Sequence, residues 1–241
     1  MLSDYARRVT ILPGQVDASG RLGIPDTFEL FMDTAAMAAR GSCADWTSLQ
    51  RRGVFWIAVK TMIGFVDRPR IFEDIAIDFR LEPPEGRRCR SHFRIVCSGE
   101  ERIKGVTEWA FLDMHTKQQL SVASVIPNDM RFTQGAHATA LFPRIDTHFE
   151  GESVSRHRVC ASDIDMAGHM NNVAYIRAIV DAFSVEAWEE LDIMGMSVVF
   201  LASAHEGDAL RVFMRRSGRD MDLGIALPDG RLSVLARLTL G

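Results

Sequence analysis

The sequence predicts an α+β fold built from one unit used twice, each copy an antiparallel sheet curled around its own long apolar helix. Three observations predict it. The chain repeats itself: residues 16–36, VDASGRLGIPDTFELFMDTAA, lie without a gap over residues 164–184, IDMAGHMNNVAYIRAIVDAFS, at a spacing of 148 residues. Each copy carries apolar residues at helical spacing directly after a D-x-x-G loop. After each helix come about four segments rich in β-branched and aromatic residues, with stretches of alternation.

The elements follow in chain order. In the first helix Phe28, Phe31, Met32, Ala35 and Ala36 keep an i, i+3, i+4, i+7, i+8 stripe, and Pro25 suits its first turn. Strands are expected over 54–66, 74–82, 88–98 and 104–114. Residues 134–153 have mixed polarity and no period, and read as a connection between a first module at 1–133 and a second at 154–241. In the second module Ile176, Ile179, Val180 and Phe183 carry the helical stripe, and either Asn171 or Asn172 suits its N-cap. Strands follow at 196–204, 209–217, 223–228 and 231–240, with Asp229-Gly230 as a hairpin signal between the last two. The segment EGDALRV (206–212) echoes FEDIAID (72–78), which sets Asp208 over Asp74. Pairing one edge of each sheet with the other would hide strands that otherwise invite aggregation.

Composition narrows the function classes. Of 241 residues 47% are apolar and 25% charged, as in ordinary globular proteins, and the net charge of −4 argues against a nucleic-acid binder. No apolar run reaches the roughly 18 residues that span a bilayer, and the N-terminal stretch MLSDYARRVTIL has no signal-peptide core, so neither membrane insertion nor export is expected. Cys43, Cys89, Cys97 and Cys160 are scattered without a C-x-x-C pair, which fits a reducing cytoplasm and gives a zinc site no support. No metal and no cofactor is expected.

The stretch DIDMAGHMNNVAYI (163–176) packs two acids, a histidine and two asparagines into ten residues before an apolar helix. Twin helix-plus-strand modules with a D-x-x-G-H-x-N-N-x-x-Y loop, here Asp165, Gly168, His169, Asn171, Asn172 and Tyr175, resemble the double-hotdog acyl-ACP thioesterases. DRPRIFEDIAIDF (67–79) is similar to that family's paired central strands, and TEWAFLDMHTKQQL (107–120) to its last N-terminal strand and turn. The resemblance covers nearly the whole chain and implies two fused hotdog modules. It also implies a thioesterase that releases free fatty acid from acyl-ACP in fatty-acid biosynthesis. Two positions depart from the family's pattern: Ala167 stands where an Asn is usual, and Ser203 where a Glu is usual.

The chemistry such an activity needs can be laid over these residues. Asp165 would serve as general base or nucleophile, with His169 donating to the carbonyl or to the leaving thiolate. Backbone amides of Gly168 and Met170, near a helix N-terminus, would stabilise the oxyanion. Asn171 and Asn172 read mainly as helix caps, and Ser203 could hold a water in place of the missing Glu. Phe28, Phe31, Met32, Trp56 and Met62 are candidates to line an acyl chain, with core packing as the competing reading. Asp17, the repeat mate of Asp165, reads as a relic or a loop-capping acid because Arg21 replaces its histidine. The basic runs RRCR (87–90) and MRRSGR (214–219) are expected on equivalent strands, where they would steer an acidic carrier protein or simply face water.

The expected partner is acyl carrier protein bearing the acyl chain, or acyl-CoA, with a homodimer left open. Two other functions stand beside the first. One is an acyl-CoA thioesterase of the same fold, and the other is an acyl-thioester-binding hotdog protein without turnover, which Ala167 and Ser203 favour. A hotdog dehydratase fits less well, since its loop histidine and opposing helical acid are not arranged here.

Overall fold

The computed structural model describes residues 4–126, 142–143, 145–146 and 150–241. Most of the expected connection at 134–153, including Leu141 and Phe149, lies outside these. The chain divides into two compact units: Met1–Leu22 with Thr27–Leu141, and Gly23–Asp26 with Phe142–Gly241.

The first unit contains β1 (Asp4–Thr10), α1 (Ile24–Ala39) from Thr27 onward, α2 (Trp46–Arg51), β2 (Val54–Phe65), β3 (Asp74–Leu81), β4 (Cys89–Cys97), β5 (Glu100–Asp113), β6 (Gln119–Leu120) and α3 (Val122–Val125). Its strands run β1-β3-β4-β5-β2, all antiparallel, with β6 added to β5. The alternation in DIAIDFRL decides which face is buried: Ile75, Ile77, Phe79 and Leu81 are all at most 2% exposed. The helix α1 lays its stripe on this face. Phe31 stacks on Phe93 of β4 at 4.4 Å, and Phe79 meets Phe93 edge-on. Arg7 of β1 ties the helix down by donating to Thr34 Oγ1 at 2.9 Å and to the Leu30 carbonyl.

The second unit contains β7 (Glu152–Arg158), α4 (Asn172–Val180), α5 (Val185–Glu189), β8 (Ile193–Phe200), β9 (Ala209–Ser217), β10 (Asp220–Ala226) and β11 (Leu232–Leu240). Its antiparallel order, β7-β9-β10-β11-β8, is that of the first unit strand for strand. The repeat also holds at single residues. A 148-residue step carries β1 onto β7, the 3₁₀ turn Pro13–Gln15 onto Ala161–Asp163, and the first residue of α1 onto that of α4.

Two expectations need correction. The second helix is not long: α4 has nine residues and stops at Val180. Asp181 caps it, and Ser184 starts a separate short helix by accepting from the Ala187 amide, so the stripe residue Phe183 lies in the break. The echo between 72–78 and 206–212 is out of step by one residue. Thr10 pairs with Asp74 and Arg158 with Ala209, so Asp208 matches Glu73 and not Asp74. The backbone agrees, because Phe72 and its true mate Gly207 both have positive φ, 67° and 89°.

Candidate active site

The loop before α4 closes on itself through short-range bonds. The Asp165 amide donates to the His169 carbonyl at 2.9 Å, the Gly168 amide to the Asp165 carbonyl at 3.0 Å, and the Ala167 amide to Asp165 Oδ1 at 2.8 Å. This is an aspartate turn, and it needs a residue at positive φ, which Gly168 supplies at 77°. Asn171 is the N-cap, its side chain accepting from the Val173 amide at 2.7 Å, and Asn172 is the first helical residue. Asp163 caps the preceding turn by accepting from the Cys160 amide, and also meets His157 Nε2 at 3.0 Å.

The loop is anchored to the segment after β8. The Met170 amide donates to the Ala204 carbonyl at 2.9 Å. Ala204 is held in turn by Tyr175 of α4, whose hydroxyl oxygen accepts from the Ala204 amide at 2.8 Å and from Ser233 Oγ at 3.0 Å. Burial keeps the Tyr175 phenol above its ordinary value, so it stays protonated at neutral pH. These bonds bring Asp165, His169, Ser203 and His205 to one end of the second unit. Asp165 and Ser203 are exposed, His169 is half-buried, and its ring lies 5.0 Å from that of His205. The amides of Gly168 and Met170, expected as oxyanion donors, are both committed to carbonyls within this framework.

The first unit has the same loop with different chemistry. The Asp17 and Gly20 amides donate to the Arg21 and Asp17 carbonyls, both at 2.9 Å, and the Leu22 amide donates to the Pro69 carbonyl as Met170 does to Ala204. Here the acid is neutralised: Arg68, in the position of Ser203, forms an ion pair with Asp17. Burial works to raise the Asp17 carboxyl, but hydrogen bonds from Ser19 and Arg68 outweigh it and hold it below the ordinary carboxylate value. Arg21, in the histidine's position, pairs with Asp67. Among the described residues Asp165 has no ion pair of this kind, so only the second loop presents a carboxylate to solvent.

The acyl-lining candidates divide by burial. Phe28 and Phe31 are at most 2% exposed and belong to the core. Met32, Trp56 and Met62 are half-buried, with Trp56 stacked on Trp109 at 4.7 Å. Within the second unit, Phe183, Leu191, Met214, Met221 and Leu240 line a groove of about 430 Å³ that includes no residue of the 163–171 loop. The basic runs fall at equivalent hairpins, β3–β4 and β9–β10, and acids take up part of their charge. Arg88 and Arg90 face Glu108 at 3.7 and 3.5 Å, and Arg215 faces the buried Asp222 at 3.3 Å. Among the described residues no three His, Cys, Asp or Glu side chains gather to hold a metal ion, and no helix is long and apolar enough to cross a membrane.

Sequence reasoning missed Arg68 and His205. Their signal was in the echo between the two post-helix strands, but a one-residue misalignment hid it. In correct register Arg68 lies over Ser203 and Arg70 over His205.

Comparison with known families decides what this scaffold is. The acyl-ACP thioesterase N-terminal domain matches residues 3–129, and the acyl-ACP thioesterase C-terminal domain matches 147–229. The chain belongs to the acyl-ACP thioesterase family. It is a thioester hydrolase that releases fatty acid from acyl-ACP. The thioesterase has the fold of an acyl-ACP thioesterase from Bacteroides thetaiotaomicron, with TM-score 0.89 at 18% identity over 99% of this chain and 98% of that one. It is also similar to the 12:0-ACP thioesterase from Umbellularia californica, with TM-score 0.78 at 12% identity over 99% and 97%. No curated protein matches the thioesterase in sequence.

Proposed function

We propose that the thioesterase is a double-hotdog enzyme whose hydrolytic centre is the 163–171 loop of the second unit, with Asp165 as the general base. One observation carries this reading. Two equivalent loops hold an aspartate on the same turn, and only Asp165 is left without a guanidinium partner among the described residues. The Asp17 carboxylate is engaged by Arg68 and held below its ordinary value, whereas the Asp165 carboxylate is open to water.

The steps follow. Asp165 takes a proton from water as the hydroxide oxygen adds to the thioester carbonyl carbon. The carbon–sulfur bond then breaks, and the proton passes to the departing thiolate, leaving fatty acid and carrier thiol. His169, beside the aspartate turn, donates to the developing oxyanion through its ring. This assignment suits the structure because the Gly168 and Met170 amides are occupied. Ser203, exposed on the adjoining segment, positions water where the family pattern has a glutamate. The modules are the hotdog repeats 1–133 and 154–241 joined by 134–153. Met32, Trp56 and Met62 are the residues we assign to the acyl chain. Four free cysteines support residence in a reducing cytoplasm.

The test is thiol release from a C8–C18 panel of acyl-ACPs, with the same acyl-CoAs in parallel. Asp165→Asn should lower kcat about 10²- to 10⁴-fold, the usual contribution of a positioned base, while Asp17→Asn should leave it within a few-fold. Equal losses in both variants would show that neither loop is the centre.

A further inference from the structure

We propose that His205 is a positioning residue for this hydrolysis, holding the His169 ring in its working orientation; the inference rests on the 163–171 loop being the hydrolytic centre. His205 lies two residues beyond Ser203 on the segment that anchors the loop. Its ring centroid is 5.0 Å from that of His169, with the planes tilted by 53°. This is an ordinary geometry for aromatic contact, and such pairs have a preferred orientation.

The contact is set by the fold and does not depend on a mobile surface chain. The His205 amide donates to Asp208 Oδ2 at 2.8 Å, and the Asp208 amide returns to the His205 carbonyl at 3.1 Å. The preceding residue, Ala204, is bound on both sides, its amide to Tyr175 and its carbonyl to the Met170 amide. The first unit reproduces the arrangement. The Arg70 amide donates to Glu73 Oε2, the Glu73 amide returns to the Arg70 carbonyl, and Arg21 and Arg70 are bridge partners across the two segments. Positions 169 and 205 are therefore cross-segment neighbours because of the backbone, as 21 and 70 are. What differs is the chemistry at that pair: two guanidiniums in the first unit and two imidazoles in the second.

Burial separates this role from core packing. His205 is exposed, so its ring covers little apolar surface, while His169 is half-buried. An exposed ring on a backbone fixed at four points is suited to orienting its neighbour. On this segment His205 is the ring in contact with His169.

The experiment is a double-mutant cycle on acyl-ACP hydrolysis by the full chain. His205→Ala should lower kcat about 10-fold, the scale of a modest misorientation of a reacting group, with KM and Tm unchanged. His205→Phe, which restores a ring, should recover most of the loss. In a His169→Ala background His205→Ala should cost nothing further, because a residue acting only through His169 is non-additive with it. Wild-type kcat in His205→Ala, or additive losses in the double variant, would overturn the inference. If Asp165→Asn and His169→Ala both kept wild-type rates, the site assignment itself would fail, and the inference with it. A normal His205→Ala beside an inactive Asp165→Asn defeats the inference alone.

Discussion

Replacing Tyr175 with Phe removes a single oxygen atom from the second unit, and the structure sets the size of the effect. Tyr175 is 2% exposed and Ala204 is fully buried. The phenol oxygen accepts from the Ala204 amide at 2.8 Å, so Tyr175→Phe leaves that amide in a place water does not reach. An orphaned buried donor costs about 1–3 kcal/mol. For a chain of this length each kcal/mol moves Tm by roughly 2–4 °C, so a cost of about 2 kcal/mol lowers it by about 4–8 °C. Ser233→Ala is the control. Ser233 Oγ donates either to Tyr175 or to the Ala202 carbonyl at 2.5 Å, and its removal leaves the Ala204 amide with its acceptor. Its cost should be that of one net hydrogen bond, about 0.5–1.5 kcal/mol. Thermal scans by circular dichroism at matched concentration give the stabilities, and acyl-ACP turnover below the transition gives the functional effect. Because the Ala204 carbonyl holds the Met170 amide, kcat should fall in Tyr175→Phe as well. A Tm loss under about 1 °C, or a larger loss in Ser233→Ala, would refute the reasoning.

Other positions offer independent checks. A Cβ on Gly105 would lie 2.2 Å from Phe31 Cε2, and Phe31 cannot retreat because Phe93 is stacked on it, so Gly105→Ala should destabilise by about 1–3 kcal/mol in calorimetry. Asp222 has no exposed side-chain surface. Burial acts to raise its carboxyl, but hydrogen bonds from Arg237 and Arg215 outweigh this and hold it below the ordinary value. A lowered folded value means its stabilisation is complete above the unfolded value of about 3.9 and is lost as pH falls through the folded one. Asp222→Asn should therefore cost about 3 kcal/mol at pH 7, the low end for a broken buried pair since both arginines reach solvent. The Tm gap to wild type should close in scans taken between pH 5 and pH 2, and a constant gap would contradict the linkage. Burial, aided by the charge of Glu108, pushes the Cys89 thiol up to about 12, and burial raises Cys97 too. Iodoacetamide at pH 8 should then label the exposed Cys160 and spare Cys89 and Cys97 in the folded protein, as peptide mass mapping would show.

The repeat was legible at single-residue precision wherever structure is local. The D-x-x-G turn, its glycine and the helix that starts seven residues past its aspartate are set by neighbours in sequence. The turn recurs 148 residues later with the same backbone hydrogen bonds. Alternation placed the strands to within a few residues because a sheet with one buried face imposes a period of two. Legibility failed at a helix break made by local caps and at a strand register chosen by distant pairing. The stripe through Phe183 read as one long helix, yet Asp181 and Ser184 divide it. The echo between β3 and β9 looked right one residue out of register, since both choices align acids and apolar residues, and only pairing with β1 and β7 selects between them.

By itself, then, the sequence determined an α+β chain with a duplicated unit, a loop acid at Asp165 and a histidine four residues on. These follow from short-range turn chemistry and from the periods of helix and strand. Tertiary structure alone decided which aspartate carries a charge partner, what the Met170 amide is bonded to, and which ring meets His169. Arg68 reaches Asp17 across 51 residues, Ala204 takes the Met170 amide across 34, and His205 meets His169 across 36. Partners that far apart are chosen by strand register and packing. A one-residue change of register would exchange them all, and no local pattern in the sequence records which register wins.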